Sequence, residues 1–434
     1  MQNARIDSRG MASDLAGRRV FALQIRRWKE AILNAYFPQT QFTYLPLYIS
    51  DSAFFRDWAS TIKAADNATL LIWGSNVSPA ITAFARENDI PLCFLEDGFI
   101  RSLVPNASKS QPFSLTLDGR APYFDSRKPS DLETILSTYD FDADPALMAR
   151  ARDGIAKLLT SGLSKYNATG SDSPLALSSP SPKRKVLVIG QVEDDASIQV
   201  GCDREINNND AVRLAAAENP GCEIFYKPHP DVLNGVRKRI SNPADVAHLC
   251  EILTGNAPLP QLLSAVDHVY TITSLGGFEA LLRGIPVTTL GCPFYAGWGL
   301  TDDRQSNSRR RRKLSIEEVF AAAYLLYPRY FNPVTGEQIS FEECLHLAAL
   351  WRLEGMPESR ILPVLAPEKP GLEMIGAYGL FGWRHLMTQP LASIISRIGD
   401  PADAEQYRRN PILFFRELSD PRLRRLGRAL YPFD

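Results

Sequence analysis

Short apolar runs alternate with helix-spaced segments along the first part of the chain. Residues 19–24 (RVFALQ), 69–73 (TLLIW) and 91–95 (PLCFL) are brief and continuously apolar, as strands covered on both faces are. Residues 78–88 and 143–159 instead carry apolar side chains at the three-and-four spacing of an amphipathic helix. Residues 161–185 then turn rich in Ser and Pro, lose periodicity and read as a linker. A second alternating series follows. Residues 185–190 (KVLVIG), 223–226 (EIFY), 268–272 (HVYTI) and 286–290 (PVTTL) are strand-like, while 210–218 and 276–283 are helix-like. Amphipathic helices are predicted over 315–327 and 341–352. Beyond them lies a Pro-rich tail of mixed charge, helical only in parts such as 390–398 and 410–418.

Alternating β and α elements predict mostly parallel sheets covered by helices. The expected fold class is therefore α/β, with two Rossmann-type domains around a cleft and C-terminal helices bracing the first. The expected boundaries are 1–165 for the first domain, 166–184 for the linker, 185–310 for the second domain and 311–434 for the helices and tail.

Composition narrows the function. A chain of 434 residues has room for two or three domains at roughly 150 residues each. Its 45% hydrophobic and 22% charged residues exclude disorder as the main state. Lys+Arg is 48 and Asp+Glu is 49, a net charge of -1, which argues against nucleic acid as a partner. No apolar stretch reaches the roughly 18 residues of a membrane span, and the N-terminal charges lack the apolar region of a secretory signal. The six cysteines form no CxxC pair and have no metal-like spacing with the five histidines. Reduced thiols in a cytoplasmic protein, with no bound metal, are expected.

Several segments carry candidate chemistry at the carboxyl ends of predicted strands, where open α/β sheets bind ligands. In Tyr226-Lys227-Pro228-His229-Pro230 two prolines fix the backbone, and Lys227 and His229 suit a phosphate; a rigid turn is the plain alternative. In the segment TSLGGFE, Ser274, Gly276 and Glu279 stand where a strand meets a helix. The helix N-terminus suits an anion, and simple capping also accounts for the pattern. Gln191 opens GQVEDDAS, whose three consecutive carboxylates ending at Asp195 repel one another; a metal or a catalytic carboxylate would account for them, and a solvated loop is the other reading. Glu96 and Asp97, followed by Arg101, offer acid/base chemistry from the first domain, or a turn. The aromatic loop GCPFYAGWGLTDD either stacks on a ligand or packs between domains. The run Arg309-Arg310-Arg311-Arg312-Lys313 either meets an anionic surface or is a solvated face.

Taken together, GQVEDDAS, YKPHPDV, TSLGGFEALLRGIPVTTLGCPFYAGWGLTDD and YPRYFNPVTG, with EDGFIRS and SLTLDGRAPYFDSRKPSDLE upstream, strongly resemble the capsule polysaccharide biosynthesis/export family over about residues 65–350. The resemblance implies a GT-B fold and a retaining β-Kdo (3-deoxy-manno-octulosonic acid) glycosyltransferase of a Gram-negative bacterium. Some relatives carry two such modules; this chain has length for one. By motif, Lys227 and His229 would bind the CMP phosphate, with His229 assisting departure of CMP. Ser274, Gly276 and neighbouring amides would hold phosphate or carboxylate, Gln191 would line the donor site, and Glu279 would contact the ribose. Asp195 would be the nucleophile and Glu96 the base for the acceptor hydroxyl, with Asp97 in reserve. The partners implied are CMP-Kdo, which is a donor substrate and not a cofactor, a lipid-linked Kdo acceptor, the inner-membrane surface and capsule assembly or export proteins. The implied location is cytoplasmic and peripheral on the inner membrane, with Arg309–Lys313, Arg408–Arg409 and Arg422–Arg428 as basic contacts. Transfer of another CMP-activated nonulosonic acid, or a non-catalytic export or assembly role, are the competing readings.

Overall fold

The computed structural model describes residues 15–103, 111–163, 182–233, 240–255, 257–354 and parts of 383–431. Most of the segment assigned as linker, and Arg409 in the tail, lie outside the described residues.

Two separate sheets form. The first is built from β1 (Arg19–Leu23), β2 (Gln41–Tyr44), β3 (Ala68–Trp73), β4 (Leu92–Asp97) and β5 (Ser114–Asp118). The second is built from β6 (Lys185–Ile189), β7 (Glu223–Lys227), β8 (Glu251–Ile252), β9 (His268–Thr271), β10 (Val287–Thr289) and β11 (Asp302–Asp303), all parallel, in the order β11-β10-β9-β6-β7-β8. The central strands β6 and β9 are almost wholly buried, which is why they read as continuous apolar runs. Among the described residues no strand pairing joins the two sheets.

The chain after residue 310 is more than helices. β12 (Pro328–Phe331) and β13 (Gln338–Ile339) return to the first sheet, whose order is β13-β12-β5-β4-β3-β1-β2. β12 runs antiparallel to β5, and β5 runs antiparallel to β4, so this edge departs from the parallel pattern. Asp118, at the end of β5, locks the return: its carboxylate accepts the Asp131 N–H at 2.8 Å and the Tyr327 hydroxyl at 2.9 Å. The helix Ile316–Phe320, continued as a π-helix over Ala321–Leu326, and the helix Phe341–Glu354 both pack on Pro145–Ser161 of the first half. Gly154 makes that approach possible, since a Cβ there would lie 2.9 Å from the Phe320 ring and 3.1 Å from the Phe341 ring.

One apolar cluster spans both halves, joining Phe99 and Phe113 to Phe278, Phe294, Trp298 and Tyr324. The aromatic loop belongs to it. Tyr295 and Trp298 are fully buried, and the Trp298 indole donates to the Phe294 carbonyl at 2.8 Å. Packing between domains is therefore the role of most of this loop, while Pro293 and Phe294 also border the cavity between the sheets.

The basic run has a similar fate. Arg309 Nε lies 2.6 Å from Glu133, and its guanidinium also donates to the Ser126 carbonyl at 2.6 Å. Arg310 is buried; it pairs with Glu133 at 3.0 Å and donates to the Pro293 and Ala296 carbonyls. Arg312 donates to the Tyr139 carbonyl at 2.7 Å. The run staples the second half to the first, and Arg311 and Lys313 keep side chains that are exposed and outside this clamp.

Candidate active site

The carboxyl ends of both sheets border one cavity of about 350 Å³. Trp73 at the end of β3 and Glu96 and Asp97 at the end of β4 line it from the first half. Gln191 after β6, His229 after β7 and Ser274 after β9 line it from the second. Such a crevice is where this architecture binds ligands.

The acidic triplet does not act as a cluster. Glu193 turns away: it accepts the Asn208 N–H at 2.8 Å and the Ser241 N–H at 2.7 Å, tying two loops together. Asp194 is exposed. Asp195 lines the cavity and caps the short helix Ala196–Gln199. Its Oδ1 accepts from the Ser197 backbone N–H at 2.9 Å and hydroxyl at 2.7 Å, while Oδ2 makes no hydrogen bond among the described residues. One oxygen is thus anchored, and the other is available for chemistry.

Across the cavity, Asp97 is committed to the fully buried Arg101, 2.9 Å away. Glu96 lines the cavity beside it, with Oε2 accepting the Asp97 N–H at 3.3 Å. Gly74, with φ +75°, leaves room for it: a Cβ there would lie 3.2 Å from Glu96 Oε1.

His229 Nδ1 accepts the Asp231 N–H at 3.2 Å. In the neutral ring that leaves the proton on Nε2, so Nε2 is a donor. Gln191 is clamped. Its side-chain oxygen accepts the Thr273 N–H at 2.7 Å and its amide donates to the Thr273 hydroxyl at 3.0 Å, so it holds the β6 and β9 loops in register. Ser274 Oγ accepts the Gly276 N–H at 3.1 Å, as a helix cap does.

Three residues expected at the donor site are not in the cavity lining. Lys227 is buried, with Nζ 3.5 Å from the Gly255 carbonyl, and burial lowers its pKa. Gly276 is a packing position, because a Cβ would meet Leu259 at 2.9 Å and Ile189 at 3.0 Å. Glu279 is buried within the helix Leu275–Leu281.

Nothing in the sequence pattern singles out Lys29, yet it lines the cavity with Trp73, whose ring centroid lies 3.0 Å from Nζ. Burial pushes its pKa down to about 8, against the nearby charges of Asp97 and Glu96, which favour the ammonium. A signal could have been the pair Trp28-Lys29 opening an amphipathic helix after a buried strand.

The chain is 45% identical over 333 residues to the lipopolysaccharide-processing protein LpsZ of Rhizobium meliloti, covering 77% of this chain and 74% of that one. It is 41% identical over 283 residues to the capsule polysaccharide modification protein LipA of Neisseria meningitidis serogroup A, covering 65% of this chain but only 39% of that protein. Among solved structures, the beta Kdo 2,4 transferase of Thermosulfurimonas dismutans KpsC matches with a TM-score of 0.65 and 31% identity, over 76% of this chain and 97% of that one. The beta Kdo 2,7 transferase of the same KpsC matches with a TM-score of 0.60 and 32% identity, over 78% and 100%. The shared architecture is GT-B-like. With the family description "Capsule polysaccharide biosynthesis protein" matching residues 68–171 and 148–330, the chain belongs to the capsule polysaccharide biosynthesis family.

Proposed function

We propose that the chain is a retaining β-Kdo glycosyltransferase that moves Kdo from CMP-Kdo onto a lipid-linked Kdo acceptor in capsule linker synthesis. The observation that carries this reading is the meeting, in one cavity, of Asp195 and His229 from the second half with Glu96 from the first. In the first step Asp195 Oδ2 attacks the anomeric carbon as its bond to the CMP phosphate oxygen breaks. The bonding pair leaves with CMP, and His229 Nε2–H donates to the departing phosphate. Lys227 lends positive charge from beneath the loop. In the second step Glu96 takes the proton of the acceptor hydroxyl, whose oxygen displaces Asp195. Two inversions leave net retention, the logic of retaining glycosidases. Gln191 and Ser274 shape the donor side without reacting. Gly276 and Glu279 support it through the helix behind Ser274.

The acceptor's lipid would be met at the inner membrane from the cytoplasmic side. No helix among the described residues is long and apolar enough to cross a membrane. The basic contact in this reading is the helix Pro421–Leu430, where Arg422, Arg425 and Arg428 are exposed beside Leu423 and Leu426. Arg424 is used otherwise, 4.2 Å over the Tyr48 ring.

Incubation with CMP-Kdo and a synthetic Kdo-primed acceptor tests the reading. CMP release with extension of the glycan supports it. Binding of the acceptor with no CMP release would favour an assembly or export role instead. His229→Ala should weaken CMP binding by about 1.5–3 kcal/mol, the worth of a hydrogen bond to a charged group. Calorimetry reads this directly, and unchanged affinity would move the phosphate site elsewhere.

A further inference from the structure

Lys29 is the cavity cation with the least to do inside the protein. It stands in the first turn of the helix Arg27–Tyr36 and lines the cavity with Glu96. Its ammonium rests 3.0 Å from the Trp73 ring centroid and 5.3 Å from that of Trp28. Among the described residues the ammonium donates no hydrogen bond and forms no ion pair, while the Lys29 backbone N–H donates to the Arg26 carbonyl at 2.8 Å. An ammonium has three donors and a compact charge. The indoles fix where that charge sits, and its donors remain for a ligand.

The local charge balance points the same way. Glu96 and Asp97 on β4 face Lys29 together with Arg101 after that strand and Arg26 before its own helix. Asp97 is already paired with Arg101. Counting Lys29, three cations and two carboxylates meet at this corner, so the carboxylates on β4 do not outnumber the cations around them. The helix itself is anchored. The Arg27 N–H donates to Glu417 Oε1 at 2.8 Å, and the Arg26 guanidinium to the Glu417 carbonyl at 2.8 Å. The C-terminal helix Pro411–Glu417 thereby holds Lys29 in place before any ligand arrives.

We infer that Lys29 is an anion subsite for the acceptor: its ammonium takes the carboxylate of an acidic acceptor sugar and sets a neighbouring hydroxyl against Glu96, a positioning role that rests on the transferase reading above. Anchoring through the carboxylate makes an acidic sugar, and not a neutral one, the preferred acceptor. Because burial pushes the Lys29 pKa down to about 8, the subsite should be charged below that pH and lose its charge above it.

The test compares a Kdo-terminated oligosaccharide with its carboxamide, by calorimetry, on wild type, Lys29→Gln and Lys29→Arg, with CMP-Kdo turnover followed in parallel. Wild type should prefer the carboxylate by roughly ten- to a hundredfold. The preference should collapse toward one in Lys29→Gln, fade in wild type as pH rises through about 8, and persist at higher pH in Lys29→Arg. Equal affinity for both sugars in wild type, or an undiminished preference in Lys29→Gln, overturns the subsite. The two readings fail separately. Carboxylate preference without CMP-Kdo turnover would leave the subsite standing and sink the transferase. Turnover without the preference would do the reverse.

Discussion

Asp195→Asn should lower Kdo transfer by roughly 10⁴-fold or more, the scale on which loss of an essential nucleophile is felt, while CMP binding persists. The substitution is close to isosteric. Asn is as good a helix cap as Asp, and its side-chain oxygen can still accept from the Ser197 N–H and hydroxyl that now hold Oδ1. The helix Ala196–Gln199 therefore keeps its start, and the cavity keeps its shape. What is lost is the anionic oxygen that attacks the anomeric carbon in the proposed mechanism. Steady-state transfer assays alongside CMP calorimetry separate this outcome from general damage. Normal turnover by Asp195→Asn would remove Asp195 from the chemistry. Loss of both transfer and CMP binding would make it a structural cap only.

The second large effect concerns the joint between the halves. Glu133→Ala should destabilise the protein by about 3–5 kcal/mol, the cost of leaving a buried charge without its partner. Glu133 is buried and accepts from both Arg309 and Arg310, and the Arg310 side chain is only 2% exposed. Arg310 also holds the Pro293 and Ala296 carbonyls and lies over Trp298, so its displacement disturbs the aromatic loop as well. Arg311→Ala, on an exposed side chain of the same run, should stay within about 0.5 kcal/mol of wild type. Thermal or denaturant unfolding reads the contrast. Equal effects at the two positions would mean that the run is not an interdomain staple.

The two substitutions also show what the sequence could and could not reveal. β6, β7 and β9 were legible because strands buried on both faces need nothing but apolar residues. β12 was not. Its four residues begin with Pro, and they become a strand only by pairing with β5, from far earlier in the chain. A run of arginines looks the same whether it faces water or a carboxylate, and only the fold brings Glu133 to it. The acidic triplet was opaque for the same reason: only the fold brings Asn208 and Ser241 to Glu193 and leaves Asp195 at the cavity. The carboxyl-end rule of α/β sheets did locate the cavity, and Asp195, Glu96, His229, Gln191 and Ser274 all line it. It could not say which way a side chain turns at a strand end. Lys227 is the last residue of its strand and points toward the Gly255 carbonyl, whereas His229, past the proline, reaches the cavity. Lys29 stayed hidden because its setting depends on Trp73 and Glu96, which are brought beside it by neighbouring strands and not by neighbouring sequence.

The proposed mechanism passes through a covalent Kdo intermediate on the second half of the cavity. Intact-mass spectrometry of the wild-type protein with CMP-Kdo and no acceptor tests it most directly. A protein heavier by one Kdo residue is expected, with the adduct mapping to the peptide around Asp195, absent in Asp195→Asn and discharged when acceptor is added. An adduct on another carboxylate, or acceptor extension without any adduct and with the same yield in Asp195→Asn, would contradict it.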